Sequence, residues 1–185
     1  MNKVAALFLM FSMFILGCTT PEARKPVKQN SGSFISASAE RNKKLFEEEK
    51  EIIEAIIKAD SNATYITSES GFWYNYQVKD TTALSQKPSH GDLITFTYNV
   101  KDLEGNTILS KEENGLINYR VDLSNQELIS GIRDGIKLLE VGETATFLFP
   151  SYKAYGYYGI EKKLGTNVPI ASTVTLLSIT QTEEN

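Results

Sequence analysis

The stretch LISGIRDGIKLLEVGE, Leu128 to Glu143, decides the fold. Between Ser130 and Glu140 it carries Ile132, Ile136 and Leu139 at helical spacing, and Val141-Gly142 closes it, because glycine accepts the left-handed turn that ends a helix. One short helix is predicted there. On both sides the period falls from about 3.6 to 2, the signature of strands. Phe72 to Val78 alternates aromatic or apolar with polar residues. From Leu93 to Leu103, Ile94, Phe96, Tyr98 and Val100 share one face, and Glu104-Gly105-Asn106 follows as a hairpin turn. Ile117 to Leu123, Thr144 to Phe149 and Ser172 to Thr180 alternate likewise. The last two are separated by a long loop rich in Tyr, Gly and Lys. The expected class is α+β: an antiparallel β-sheet wrapped around one short helix, since the apolar face of the sheet must be buried by something.

Further out, residues 39–65 read as an N-terminal amphipathic helix, with Leu45, Ile52, Ile53, Ile56 and Ile57 on one face and charges on the other. That stripe packs on its own domain, on a second copy as a homodimer, or on a partner. Residues 1–17 read as a signal peptide: Asn2 and Lys3, then an apolar run from Val4 to Leu16 that is too short to span a bilayer. Ile15-Leu16-Gly17-Cys18 resembles the bacterial lipobox, which implies a lipid on Cys18 and a membrane attachment through it. Residues 18–38, with Pro21, Pro26, Ser31, Gly32 and Ser33, read as a flexible tether, leaving the folded domain at 66–182. Thr19 and Thr20 begin no acidic run, so the expected location is the cell envelope, facing the periplasm, with the outer membrane favoured.

The composition narrows the chemistry. A formal charge of −4 provides no basic footprint for nucleic acid. One histidine, His90, and one cysteine, Cys18, cannot build a Cys/His zinc site or an internal disulfide. No cofactor is expected. His90 lies in the loop before the Tyr98 strand and reads as an exposed loop residue, and Trp73 reads as core.

The long loop holds Pro150, Tyr152, Lys153, Ala154, Tyr155, Gly156, then Gly165, Val168 and Pro169. Together with Gly91-Asp92, the Glu104-Gly105 turn, the I-x-G-x-x-x-G run at Ile129, Gly131 and Gly135, and Val141-Gly142-Glu143, it resembles the FKBP family of peptidyl-prolyl isomerases from Phe72 to Gln181. Within that family the chain is similar to the gliding-motility-associated isomerase-like lipoproteins of Bacteroidetes. The resemblance implies proline-containing polypeptides as substrates, and envelope-complex partners in a motility or secretion machine. It also implies a pocket. Tyr98, Tyr119, Ile129 and Tyr155 would be the catalytic set, with the Ile129 N–H and the Tyr155 hydroxyl holding substrate carbonyls. Ile108, Leu109, Leu128, Ile132, Val168 and Leu176 would line the walls.

Three positions depart from the family pattern. Ile108-Leu109 stands where the family has Phe-Asp, Ile132 where tryptophan commonly forms the floor, and Val100 where glycine is common. Smaller aliphatic walls leave an oily but wider cavity, so the expectation is reduced turnover and weaker binding of macrolide inhibitors. Lys111, Glu112 and Glu113 fall where the family carries a flap and read as solvated. A binding module without turnover, acting as chaperone or assembly factor, is the alternative.

Overall fold

Alternation along the last strand sets the architecture, because Ile170, Val174 and Leu176 are buried on one face while Ala171 packs on the other. The computed structural model describes residues 31–79, 86–123 and 128–181. The chain divides into two units, Met1–Ala37 and Ser38–Asn185. Helix α1 spans Ser31–Ala59, followed by β1 (Ile66–Thr67), β2 (Trp73–Val78), β3 (Leu93–Tyr98), β4 (Val100–Asp102) and β5 (Thr107–Leu109). A single-turn helix α2 (Lys111–Asn114), β6 (Ile117–Arg120), helix α3 (Ser130–Ile136), β7 (Thr144–Phe149), a 3-10 turn (Ser151–Lys153) and β8 (Ile170–Thr180) complete the order. The strands run β1-β2-β7-β8-β3-β6 across the sheet, and β4 pairs with both β5 and β8. Every pairing between these strands is antiparallel.

The main core lies between the sheet and α3. Ile132, Ile136 and Leu139 meet Phe72, Phe96, Phe147, Phe149, Val174 and Leu176, all fully or nearly fully buried. The approach is close because Gly131 and Gly135 face the sheet. A methyl group at Gly131 would lie 2.6 Å from Phe149 Cδ1, and one at Gly135 2.8 Å from Phe147 Cε1. A methyl at either position would force its neighbours to shift.

On the opposite face α1 covers Trp73 and Leu148 with Ile53, and Ile57 packs beside them. The apolar stripe therefore rests on the chain's own sheet, although Ile52 is half exposed. Trp73 is core, as expected, and His90 is exposed.

Several boundaries differ from those expected. Helix α1 begins at Ser31 rather than Ala39 and ends at Ala59 rather than near 65, so Ser31 to Ser38, assigned to the tether, are helical. The strand expected from Leu93 to Leu103 breaks at Asn99, whose carbonyl accepts from Ser172 Oγ at 2.6 Å and whose Oδ1 accepts from Thr173 N at 2.8 Å. A side chain that bonds the neighbouring strand's backbone competes with the ladder. The strand from Ile117 stops at Arg120 because Asp122 turns left-handed, with φ 57°. Helix α3 ends at Ile136, where the tighter bonds Leu138 N to Gly135 O and Leu139 N to Ile136 O replace the helical ladder, and Gly142 turns the chain with φ 90°. The signal segment, Cys18 and the tether up to residue 30 lie outside the described residues.

Candidate active site

The last residue of β3, Tyr98, is held from two sides. Its carbonyl accepts from Asn114 Nδ2 at 3.0 Å, which fastens α2 to the end of the strand, and its ring packs 6.0 Å from Phe96. Across from it stands Tyr155, two residues beyond the 3-10 turn. The Ser151 carbonyl accepts from both Ala154 N (3.0 Å) and Gly156 N (2.9 Å), and Asn167 N donates to Gly156 O at 2.7 Å. Tyr155 is thus bracketed by amides with fixed partners.

The two phenols interact. Burial pushes the Tyr155 hydroxyl well above the usual phenol range, and the neighbouring Tyr98 phenol raises it further. Burial raises Tyr98 as well, and its hydrogen-bonding interaction with Tyr155 works in the opposite direction. At neutral pH both are protonated, in a half-buried setting where a donated hydrogen bond is stronger than in water.

Around this pair the sequence-predicted walls divide into two groups. Ile108 and Leu109 of β5, and Leu128 and Ile129 at the start of α3, are half-buried and pack on the same core as Tyr98 and Tyr155. Tyr119, Ile132 and Leu176 belong to the buried interior, with Ile132 and Leu176 fully buried. Those two expose no surface and lie in the same cluster as the half-buried residues. Tyr119 Oη is buried with no hydrogen-bond partner among the described residues. Val168 is half-buried beside Gly165 and, among the described residues, does not pack on this cluster.

Ile129 is the N-cap of α3, so its amide precedes the helical ladder and needs a partner of its own. The start of α3 and the Tyr155 turn are in direct contact, with Ser130 Oγ donating to Lys153 O at 3.4 Å and Lys153 Nζ paired with Asp134 Oδ2 at 2.8 Å. On the far side Lys163 pairs with Glu113 of α2. These contacts were not anticipated from the sequence. Lys111 to Glu113, read as a solvated flap, form a capped turn of helix in which Ser110 Oγ accepts from Glu113 N at 3.1 Å. Ser110-x-x-Glu113 has the spacing of a capping box, and that signal could have found it. Among the described residues no group of three His, Cys, Asp or Glu side chains is placed to hold a metal ion.

Residues 85–177 match the family model described as FKBP-type peptidyl-prolyl cis-trans isomerase. The chain belongs to that family. It is 28% identical over 143 residues to the probable FKBP-type peptidyl-prolyl cis-trans isomerase FkpA of Neisseria meningitidis, a match covering 77% of this chain and 50% of that protein. It is 27% identical over 105 residues to human FKBP9, covering 57% of this chain and 18% of that protein. The chain thus spans half the length, or less, of these curated relatives. Among solved structures, FkpA from Escherichia coli aligns over 97% of this chain and 82% of its own, with a TM-score of 0.57 and 19% identity. A peptidyl-prolyl isomerase from Pseudomonas syringae aligns over 75% of this chain and 96% of its own, with a TM-score of 0.59 and 16% identity. Both show a shared FKBP-like fold.

Proposed function

We propose that this FKBP-family chain is a peptidyl-prolyl cis-trans isomerase that acts on exported proteins at the cell envelope. The observation that carries the reading is the Tyr98–Tyr155 pair, two protonated phenols at the rim of an apolar cluster. An X-Pro bond resists rotation through its C–N double-bond character, with a barrier of ~18–20 kcal/mol. No bond has to be made or broken to lower it. An apolar hollow takes the proline ring, removes water from the amide, and binds the twisted state more tightly than either planar one. Twisting strips the carbonyl of its conjugation with nitrogen. The Tyr155 hydroxyl and the Ile129 amide then hold substrate carbonyls while the bond turns. Ile108, Leu109 and Leu128 shape the walls, with Ile132, Leu176 and Tyr119 in the same cluster.

The location is part of the same proposal. In this reading a lipid on Cys18 tethers the protein to the membrane, periplasm-facing, and its clients belong to a motility or secretion apparatus. Replacing Cys18 by Ser shifts the protein from the membrane to the soluble fraction if this holds; an unchanged distribution refutes it.

A second reading, a binding module without useful turnover, is favoured by Leu109 at the pocket edge, where the family has an acid, and by the complete burial of Ile132. An isomerisation assay decides between them, with the full chain in detergent acting on a short X-Pro peptide. Acceleration above background that Tyr155→Ala abolishes supports the enzyme. No acceleration leaves the binding module, and equal acceleration by both proteins places the site elsewhere.

A further inference from the structure

One carboxylate in α1 is out of place. Glu47, Glu48, Glu51 and Glu54 face solvent, whereas Glu49 is only 4% exposed. An acid is seldom buried to that extent without a partner that needs it. Its partner is distant in sequence: Glu49 Oε2 accepts from the backbone N–H of Ser151 at 2.7 Å. Ser151 is itself buried and opens the 3-10 turn behind Pro150, so its N–H has no acceptor within the turn. The carbonyl of that same residue receives the Ala154 and Gly156 amides, one on each side of Tyr155. Phe46, one turn before Glu49, meets the Tyr152 ring edge-on at 5.5 Å, and Ile53, one turn after it, is fully buried with Trp73 and Leu148. These neighbours flank the Glu49–Ser151 bond along the packed face of the helix. Glu49 Oε1 has no partner among the described residues, so this single bond is what its burial supplies.

We propose that Glu49 is a positioning residue for isomerisation, fixing the orientation of Ser151 and through it the placement of Tyr155. It lies outside residues 85–177, so α1 contributes to the site from beyond the family's matched segment. The inference rests on the isomerase reading above.

The test compares the full chain in detergent with Glu49→Ala, Glu49→Gln and, as a packing control, Ile53→Ala. Gln retains an acceptor for the Ser151 N–H, Ala does not, and Ile53→Ala loosens the helix without touching Ser151. Glu49→Ala should lower kcat about tenfold, as small misplacements of a reacting group do, with KM within about twofold. Glu49→Gln should restore most of that loss. Ile53→Ala should lower the melting temperature while kcat is kept. If Glu49→Ala melts earlier with kcat intact, or Glu49→Gln is as slow as Glu49→Ala, the proposal is overturned. Should the unaltered chain show no isomerisation, the isomerase reading fails on its own, and hydrogen exchange then decides the positioning. Exchange of the Gly156 amide should speed up in Glu49→Ala and not in Glu49→Gln, and equal exchange in both sinks it.

Discussion

Lys153 Nζ lies 2.8 Å from Asp134 Oδ2, joining the turn that carries Tyr155 to the helix that Ile129 begins. Lys153 is largely buried and Asp134 partly so, and Lys137 approaches the same carboxylate at 4.0 Å. Removing the acid would leave a shielded ammonium without its counter-charge, a larger loss than for an exposed pair. Asp134→Ala should therefore cost about 1–2 kcal/mol in urea unfolding, with the midpoint moving and the slope unchanged. A double-mutant cycle with Lys153→Met should return a clear coupling energy; additive losses would show that the pair does not bind the two segments together.

The glycines of α3 make a sharper case. In an exposed helix Gly→Ala stabilises by about 1 kcal/mol. Here the added methyl at Gly131 meets Phe149 at 2.6 Å and the Lys153 carbonyl oxygen at 2.9 Å. Overpacking of this kind costs about 1–3 kcal/mol, so the sign should reverse. Gly131→Ala should be the worse of the two, because a backbone oxygen cannot swing aside as the Phe147 ring near Gly135 can. Equal or increased stability of Gly131→Ala would contradict the packing described.

At the site itself, Tyr155→Phe keeps the ring and removes the donor. Under the proposed mechanism it should lose roughly tenfold in kcat/KM, equivalent to about 1.4 kcal/mol of transition-state binding. Tyr98→Phe leaves the Tyr155 hydroxyl in place and should lose less. Steady-state kinetics on an X-Pro peptide compare the two, and the reverse ranking would reassign the donor.

Stability at high pH carries a separate signature. Tyr76 donates to the Leu138 carbonyl at 3.2 Å, and burial followed by the nearby Glu143 pushes its hydroxyl up to about 12 from 10.0. Unfolded, the phenol ionises near 10, so between about 10 and 12 the unfolded chain releases a proton that the folded chain keeps. Stability from this group is therefore constant below pH 10 and falls as the pH rises towards 12. Urea midpoints measured across that range should decline less steeply for Tyr76→Phe.

What could be read from the sequence was what local pattern determines. Ile132, Ile136 and Leu139 revealed α3 through spacing alone, and the strands around Phe96, Phe147 and Val174 declared themselves by alternation. The glycines at 131 and 135 were visible, but their reason, two phenylalanine rings on β7, is tertiary. Glu49 was hidden for the same cause. Within an acidic run it reads as solvent-facing, and only a backbone N–H on Ser151, 102 residues away, makes it a buried group. The break at Asn99 likewise depends on Ser172 and Thr173. Of the residues that the resemblance proposed for the site, Ile108, Leu109, Leu128 and Ile129 are half-buried, while Ile132 and Leu176 are interior. Whether a given aliphatic faces ligand or core is decided by what covers it, and composition carries no record of that.

Strand β8, the last in the chain, lies at the centre of the sheet between β7 and β3. A polypeptide released N-terminus first, from a ribosome or a translocation channel, cannot close this sheet until Thr180 is free, because its two halves meet only through that final segment. Such long-range pairing makes for slow completion and a long interval with unsatisfied edges. The chain thus spends its own biogenesis as the kind of late-closing polypeptide that benefits from help.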